Sequence, residues 1–167
     1  VETVYGGVEE MKEVELTVIS LWQPWASWVA WGWKSVETRT HCRFSSLVGQ
    51  RIGIHAAKKW DHDALKIAER YLGTGQVKQT VSLGYEPPQG ILCTVFVLAH
   101  KHCEMSDGEN ALIECETSRY GLFLEAIHRI QPPLRCNGRQ GIWREICPAR
   151  VHGSYVGGIS YSQPALL

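Results

Sequence analysis

Five of the seven tryptophans in this chain fall between Trp22 and Trp33, at Trp22, Trp25, Trp28, Trp31 and Trp33. Covering that much indole dictates what the rest of the chain has to provide. Pro24 suits the first position of a helix and Gly32 the left-handed residue that ends one, which predicts about two helical turns between them. At 100° per residue Trp25, Trp28 and Val29 form one stripe, flanked by Ala26 and Ala30 on one side and Trp31 on the other, and only Ser27 is polar. A short helix so apolar is normally buried, and core packing is the default for any one indole. Five within twelve residues exceed what one small core absorbs, and each N–H wants a partner, so at least one is expected to line a cleft. Three charges, Lys34, Glu37 and Arg39, follow immediately.

Lysine plus arginine and aspartate plus glutamate both number 17, so the net charge is zero. A neutral chain does not attract nucleic acid through its overall field; such binding needs a local basic patch together with stacking. The six cysteines contain no C-x-x-C pair, and neither a secretory h-region nor a long apolar span is present. Reduced thiols in a cytoplasmic protein, with no membrane partner, fit this pattern; an even count also suits disulfides, but Cys93 sits in an apolar run where a thiol packs as a small hydrophobe.

Residues 1–13 read as a polar extension, with Met11 a natural start for the domain. A strand is expected over 14–22, and an extended segment from Lys34 to Thr40 whose alternation puts Glu37 and Arg39 on one face and Lys34 on the other. Residues 50–57 form a second strand, with Ile52, Ile54 and Ala56 inward and His55 off the core stripe, where a solvated or hydrogen-bonded histidine is the ordinary outcome. Asp61 caps a helix to about Leu72 that buries Ala64, Leu65, Ala68 and Leu72, with Trp60 at its entry or at a cleft rim. Residues 76–89 read as an insertion loop, a candidate lid. Gly90 to Ala99 is apolar on both faces, as a central strand is. His100 and His102 at its end raise the question of zinc, but no second ligand pair stands at a standard spacing, and no metal or other cofactor is assigned. The acidic stretch 107–118 reads as a solvated helix or loop. A strand from Tyr120 ends at Pro132-Pro133, Asn137-Gly138 marks a hairpin, and Arg139 to Ile146 returns as the last strand, with Arg135, Arg139 and Arg144 a basic edge around Trp143. Residues 148–167 form a tail able to add an edge strand through Tyr155, Val156 and Ile159. Residues 14–147 thus make one α+β domain: a small mixed sheet or barrel of five to six strands with two or three short helices.

The run Ser20-Leu21-Trp22-Gln23-Pro24-Trp25-Ala26, followed by Gly32-Trp33-Lys34-Ser35-Val36-Glu37-Thr38-Arg39, resembles the signature of the ASCH (activating signal cointegrator homology) domain. Later segments agree, namely Ile52 to Ala57, Gly90-Ile91-Leu92 and Arg139 to Trp143, so the resemblance spans residues 15–147. It implies a PUA-like β-barrel in which the helix after the first strand covers one end beside a cleft. It also implies that Lys34, Glu37 and Arg39 share that cleft, which requires a turn or bulge near Lys34 and Ser35.

Three functions follow. In the first, the domain binds RNA or a modified nucleobase or nucleoside, indoles stacking on the base, Lys34 and Arg39 meeting anionic or carbonyl oxygens, and Glu37 accepting N–H groups. The cleft residues are Trp25, Lys34, Glu37, Arg39 and His55, with Gln23, Trp28, Trp60 and Gln140 secondary. In the second, the domain is a hydrolase. The resemblance extends to amidohydrolases of acylated cytidine, whose lysine matches Lys34 but whose threonine nucleophile falls at Glu37, and to ribonucleases; catalysis here would rest on Lys34 with Glu37. In the third, an exposed tryptophan patch serves protein interaction. Against all three stands the plainer outcome that Lys34, Glu37 and Arg39 form a structural ion pair.

Overall fold

The computed structural model describes residues 12–152. Alternation of Leu16 and Val18 with Ile19 and Leu21 builds β1 (Glu13–Gln23), and because it lies inside the sheet both sets are buried. The other strands are β2 (Val36–Arg39), β3 (Arg51–Trp60), β4 (Gly90–His102), β5 (Tyr120–Leu134) and β6 (Ile142–Pro148). They form one six-stranded sheet in the order β2-β5-β4-β3-β1-β6, antiparallel except for the β1–β3 pair. The sheet curls into a half-barrel, the mixed α+β architecture the strand pattern predicts. Five α-helices accompany it among the described residues, more than the two or three expected: α1 (Trp25–Ala30), α2 (Ala64–Ala68), α3 (Thr74–Leu83), α4 (Gly108–Ala111) and α5 (Ala149–His152).

The short α1 is apolar all round because it is covered on two sides. Ala26, Val29 and Ala30 join Ile19, Ile52, Ile54, Val95 and Leu122 in the main core. Trp28 packs the other way, with Ala64 and Ala68 of α2, Leu112, and the partly buried Trp25, Trp31 and Trp33. Each large side chain so enclosed contributes ~1.5–3 kcal/mol of transfer free energy. A third cluster, around Leu16, Val18, Ile91 and Trp143, lies on the opposite face of β1.

Several local expectations are corrected. The helix expected from Asp61 to about Leu72 shortens to Ala64–Ala68, and Gly73 does not end it but precedes α3, where its N–H donates to Gln76 Oε1 at 2.9 Å. Residues 76–89 are therefore largely helical and not a loop; only Thr80 of α3 is buried, so the segment carries almost none of the apolar periodicity by which a helix is recognised. Strand β5 does not stop at Pro132-Pro133. Between the pairs Cys93↔Arg129 and Ile91↔Leu134 it holds three more residues than β4, and this irregularity takes up two prolines that have no N–H for a ladder. Asn137-Gly138 is not a hairpin turn, because β6 pairs with β1 at the far side of the sheet from β5. The segment between β5 and β6 instead crosses over β3 and β1, where Gly138 lies against His55 and Arg139 O accepts from Ser20 Oγ. Strand β6 runs to Pro148 and α5 follows, Ala149 N–H donating to Lys12 O at 2.8 Å.

The expected edge strand through Tyr155 and Ile159 and the expected start at Met11 lie outside the described residues. All six cysteines are free thiols. No helix among the described residues is long and apolar enough to cross a membrane.

Candidate functional site

The segment after α1 explains how three charges of mixed parity meet. Gly32, at φ +80°, turns the chain, and the N–H groups of Trp33 and Lys34 both donate to Trp28 O, at 2.9 and 3.1 Å. Lys34 thus lies before β2 begins, and strand alternation does not send it to the opposite face. Its ammonium, 1% exposed as a residue, donates to Val36 O at 2.8 Å and to Ala111 O at 2.6 Å, and lies 3.5 Å from Glu37 Oε2. All three partners are acceptors, so the charged form is the one that satisfies every one of them. Burial pushes the Lys34 pKa below its ordinary 10.5, and the neighbouring carboxylate of Glu37 works against that shift. Glu37 Oε1 in turn lies 3.3 Å from Arg39 Nε. One carboxylate is held between two cations.

Around this ladder is a cavity of about 360 Å³, walled by Trp22, Trp25, Thr38, Asp61, Ile113 and Arg119 as well as by Lys34, Glu37 and Arg39. Trp25 is fixed on three sides. Its Nε1 donates to Asp61 Oδ2 at 2.8 Å, its ring meets Trp28 edge-on at 4.8 Å, and Lys34 Nζ lies 5.0 Å from its centroid. Arg119 reaches the cavity because Arg39 pairs with Tyr120 across β2 and β5; its Nη2 donates to Thr38 Oγ1 at 3.3 Å. The Nε of Arg119 is buried without a hydrogen-bond partner, a costly state for a charged group's donor, whereas the buried Nε of Arg39 has the ion-pair contact to Glu37 but no aligned hydrogen bond.

An adjoining cavity of about 540 Å³ shares Ser20, Trp22 and Arg39 with the first and is closed by the crossing segment, Cys136 to Gly141. His55 holds that segment down. Its Nε2 donates to Cys136 O at 3.3 Å, and Ser20 Oγ lies 3.1 Å from its Nδ1 and 3.0 Å from Arg139 O, with one proton to share between those two acceptors. Trp143 donates through Nε1 to Ser20 Oγ at 3.3 Å and meets the His55 ring edge-on. His55 is therefore not solvated but buried, with a polar neighbour at each ring nitrogen, and desolvation lowers its pKa below 6.5.

Of the residues expected to share one cleft, Trp25, Lys34, Glu37 and Arg39 do so, while His55 and Gln140 line the neighbouring cavity. Three others stand in neither. Trp28 is wholly buried, its Nε1 bonded to Thr80 Oγ1 at 2.9 Å. Gln23 is buried and structural: Oε1 accepts from Ser27 N–H at the start of α1 and Nε2 donates to Pro88 O, both at 3.2 Å. Trp60 packs beside Gly84 at the end of α3. Conversely, Trp22, Asp61 and Arg119 line the site without having been expected there. Trp22 is signalled by alternation, which turns it away from the buried Leu21 and Gln23, leaving it 46% exposed. Arg119 carries no local signal, since only strand pairing brings it near.

No protein-family model matches the chain, and no curated protein does. Among solved structures the chain is similar to an ASCH protein from Zymomonas mobilis, at 17% identity over 68% of each chain with a TM-score of 0.43. It is also similar to two point-mutant forms of an ASCH protein of that organism. One matches at 16% identity over 76% of this chain and 85% of that one, with a TM-score of 0.48. The other matches at 17% identity over 68% and 70%, with a TM-score of 0.41.

Proposed function

We propose that this chain is an ASCH-type domain that binds a single nucleoside unit of RNA, or a modified nucleobase, in the cavity walled by Trp25. What carries the reading is the juxtaposition of an immobilised indole with the Lys34–Glu37–Arg39 ladder and with the Arg119 guanidinium, whose buried Nε has no hydrogen-bond partner. The ring offers a stacking wall, the ladder offers Glu37 lone pairs left over from two ion pairs, and Arg39 and Arg119 offer donors for carbonyl or anionic oxygens. The sequence resemblance at residues 20–39 points to the same class of ligand.

Binding is favoured over hydrolysis by the state of Lys34. A lysine acting as base needs a free lone pair, and here three acceptors surround its nitrogen, so it positions Glu37 and is closed to substrate. Protein interaction draws no support from a cavity whose polar groups converge inward.

The test is a titration of intrinsic tryptophan fluorescence with the four ribonucleosides, their monophosphates and N4-acetylcytidine. Saturable quenching by at least one is expected, with Trp25→Ala weakening it by ~1–3 kcal/mol, the usual worth of one base stack, and Arg119→Gln weakening the monophosphates. Absence of any quenching at millimolar concentration overturns the reading. Release of acetate from N4-acetylcytidine by the wild-type protein overturns the preference for binding over catalysis.

A further inference from the structure

The second cavity has a charge balance unlike that of the first. Arg39, Lys58 and Arg139 line it, and no aspartate or glutamate does. In the first cavity, by contrast, Glu37 and Asp61 stand among the cations. Glu37 already pairs with Arg39, but Lys58 and Arg139 have no ion-pair partner among the described residues, and two such cations around one concavity are conspicuous in a chain whose net charge is zero. The crossing segment that carries Arg139 is also a built wall. Two side chains of the sheet, His55 and Ser20, hold its carbonyls at Cys136 and Arg139, and Gly138 lies flat on the imidazole, so close that a Cβ there would come within 2.3 Å of His55 Cε1. Its backbone is fixed while the side chains of Asn137, Arg139 and Gln140 remain exposed. The two cavities meet at Ser20, Trp22 and Arg39, so the half-exposed Trp22 and the Arg39 guanidinium stand on the divide between them. At about 360 and 540 Å³ each is large enough for one small ligand.

Resting on the nucleoside reading of the first cavity, we infer that the second is the subsite for the phosphodiester and the adjoining nucleotide of a single-stranded RNA. The smallest ligand that fills the site is then a dinucleotide. Arg39 meets the linking phosphate at the junction, Lys58 and Arg139 meet the anionic backbone beyond it, and Asn137 and Gln140 offer paired donors and acceptors to the second base.

Fluorescence titration compares a ribonucleoside, the corresponding dinucleoside monophosphate and the same dinucleotide with a neutral methylphosphonate linkage, on the wild type and on a Lys58→Gln/Arg139→Gln variant. Both replaced side chains are exposed, and matching melting temperatures will verify that the variant folds. The dinucleotide is expected to bind about tenfold or more tighter than the nucleoside, and the neutral linkage to lose most of that gain. The variant is expected to bind the nucleoside as the wild type does and the dinucleotide hardly better. Raising salt should weaken the charged dinucleotide on the wild type with a log–log slope of about −0.7 per phosphate engaged. Equal affinity for nucleoside and dinucleotide, or a dinucleotide gain that survives in the variant, overturns the second subsite and leaves the first reading standing. If no nucleoside and no dinucleotide binds, both fall.

Discussion

Lys34 shows how a residue can be legible as important and still be misread in role. Its spacing to Glu37 and Arg39 marks it, but the burial that makes it fully bonded depends on Ala111, which belongs to a helix far along the chain. Lys34→Met would leave two carbonyls and one carboxylate oxygen without their donor, and removing one partner of a buried ion pair costs ~3–5 kcal/mol. The urea midpoint of Lys34→Met should fall accordingly, and lost ligand binding in that variant reports on folding. Arg119→Gln breaks only one 3.3 Å contact to Thr38 and should leave the midpoint within ~1 kcal/mol. That makes it the cleaner probe of the cavity. Arg119 itself was invisible in the sequence because its placement is a matter of strand register.

At the scale of elements, β1, α1, β3 and β4 were readable because each carries its own apolar period and its own end signals. Helix α3 is not, since its one buried residue is polar, Thr80, which accepts from the Trp28 indole. Thr80→Val keeps the volume and removes the acceptor, leaving a buried N–H unsatisfied; a loss of ~1–3 kcal/mol is expected in thermal or urea unfolding. Thr80→Ser should recover most of it. The β5–β6 connection was misjudged for a related reason. An Asn-Gly pair is a local turn signal, whereas the choice of β1 as partner for β6 is made across the whole sheet. The site inherits that error, because the crossing segment supplies one wall of the second cavity.

For the molecule as a whole, two histidines make stability depend on pH. Desolvation lowers the pKa of both His55 and His100 below 6.5, with His41 adding to the effect at His100. Each therefore takes up a proton less readily in the fold than in the unfolded chain. Their contribution is therefore complete above about pH 6.5 and is lost as pH falls through the lower folded values. Urea midpoints should drop between pH 7.5 and 5.5, and the drop should shrink in His55→Gln after allowance for the variant's lower starting stability. Because His55 anchors the crossing segment, dinucleotide affinity should decline over the same range. A flat midpoint over this interval would contradict the desolvation of these two rings.

The indoles around α1 form two pairs, each close enough to couple optically. Trp25 and Trp28 lie 4.8 Å apart at 81°, and Trp31 and Trp33 lie 4.7 Å apart at 57°. At such separations their transitions couple, which should give an exciton couplet in the ultraviolet circular dichroism. Excitation also migrates among neighbouring rings before emission, so a molecule docking on Trp25 darkens more than the ring it touches. The protein carries an optical antenna with one terminal at the cavity that Trp25 walls.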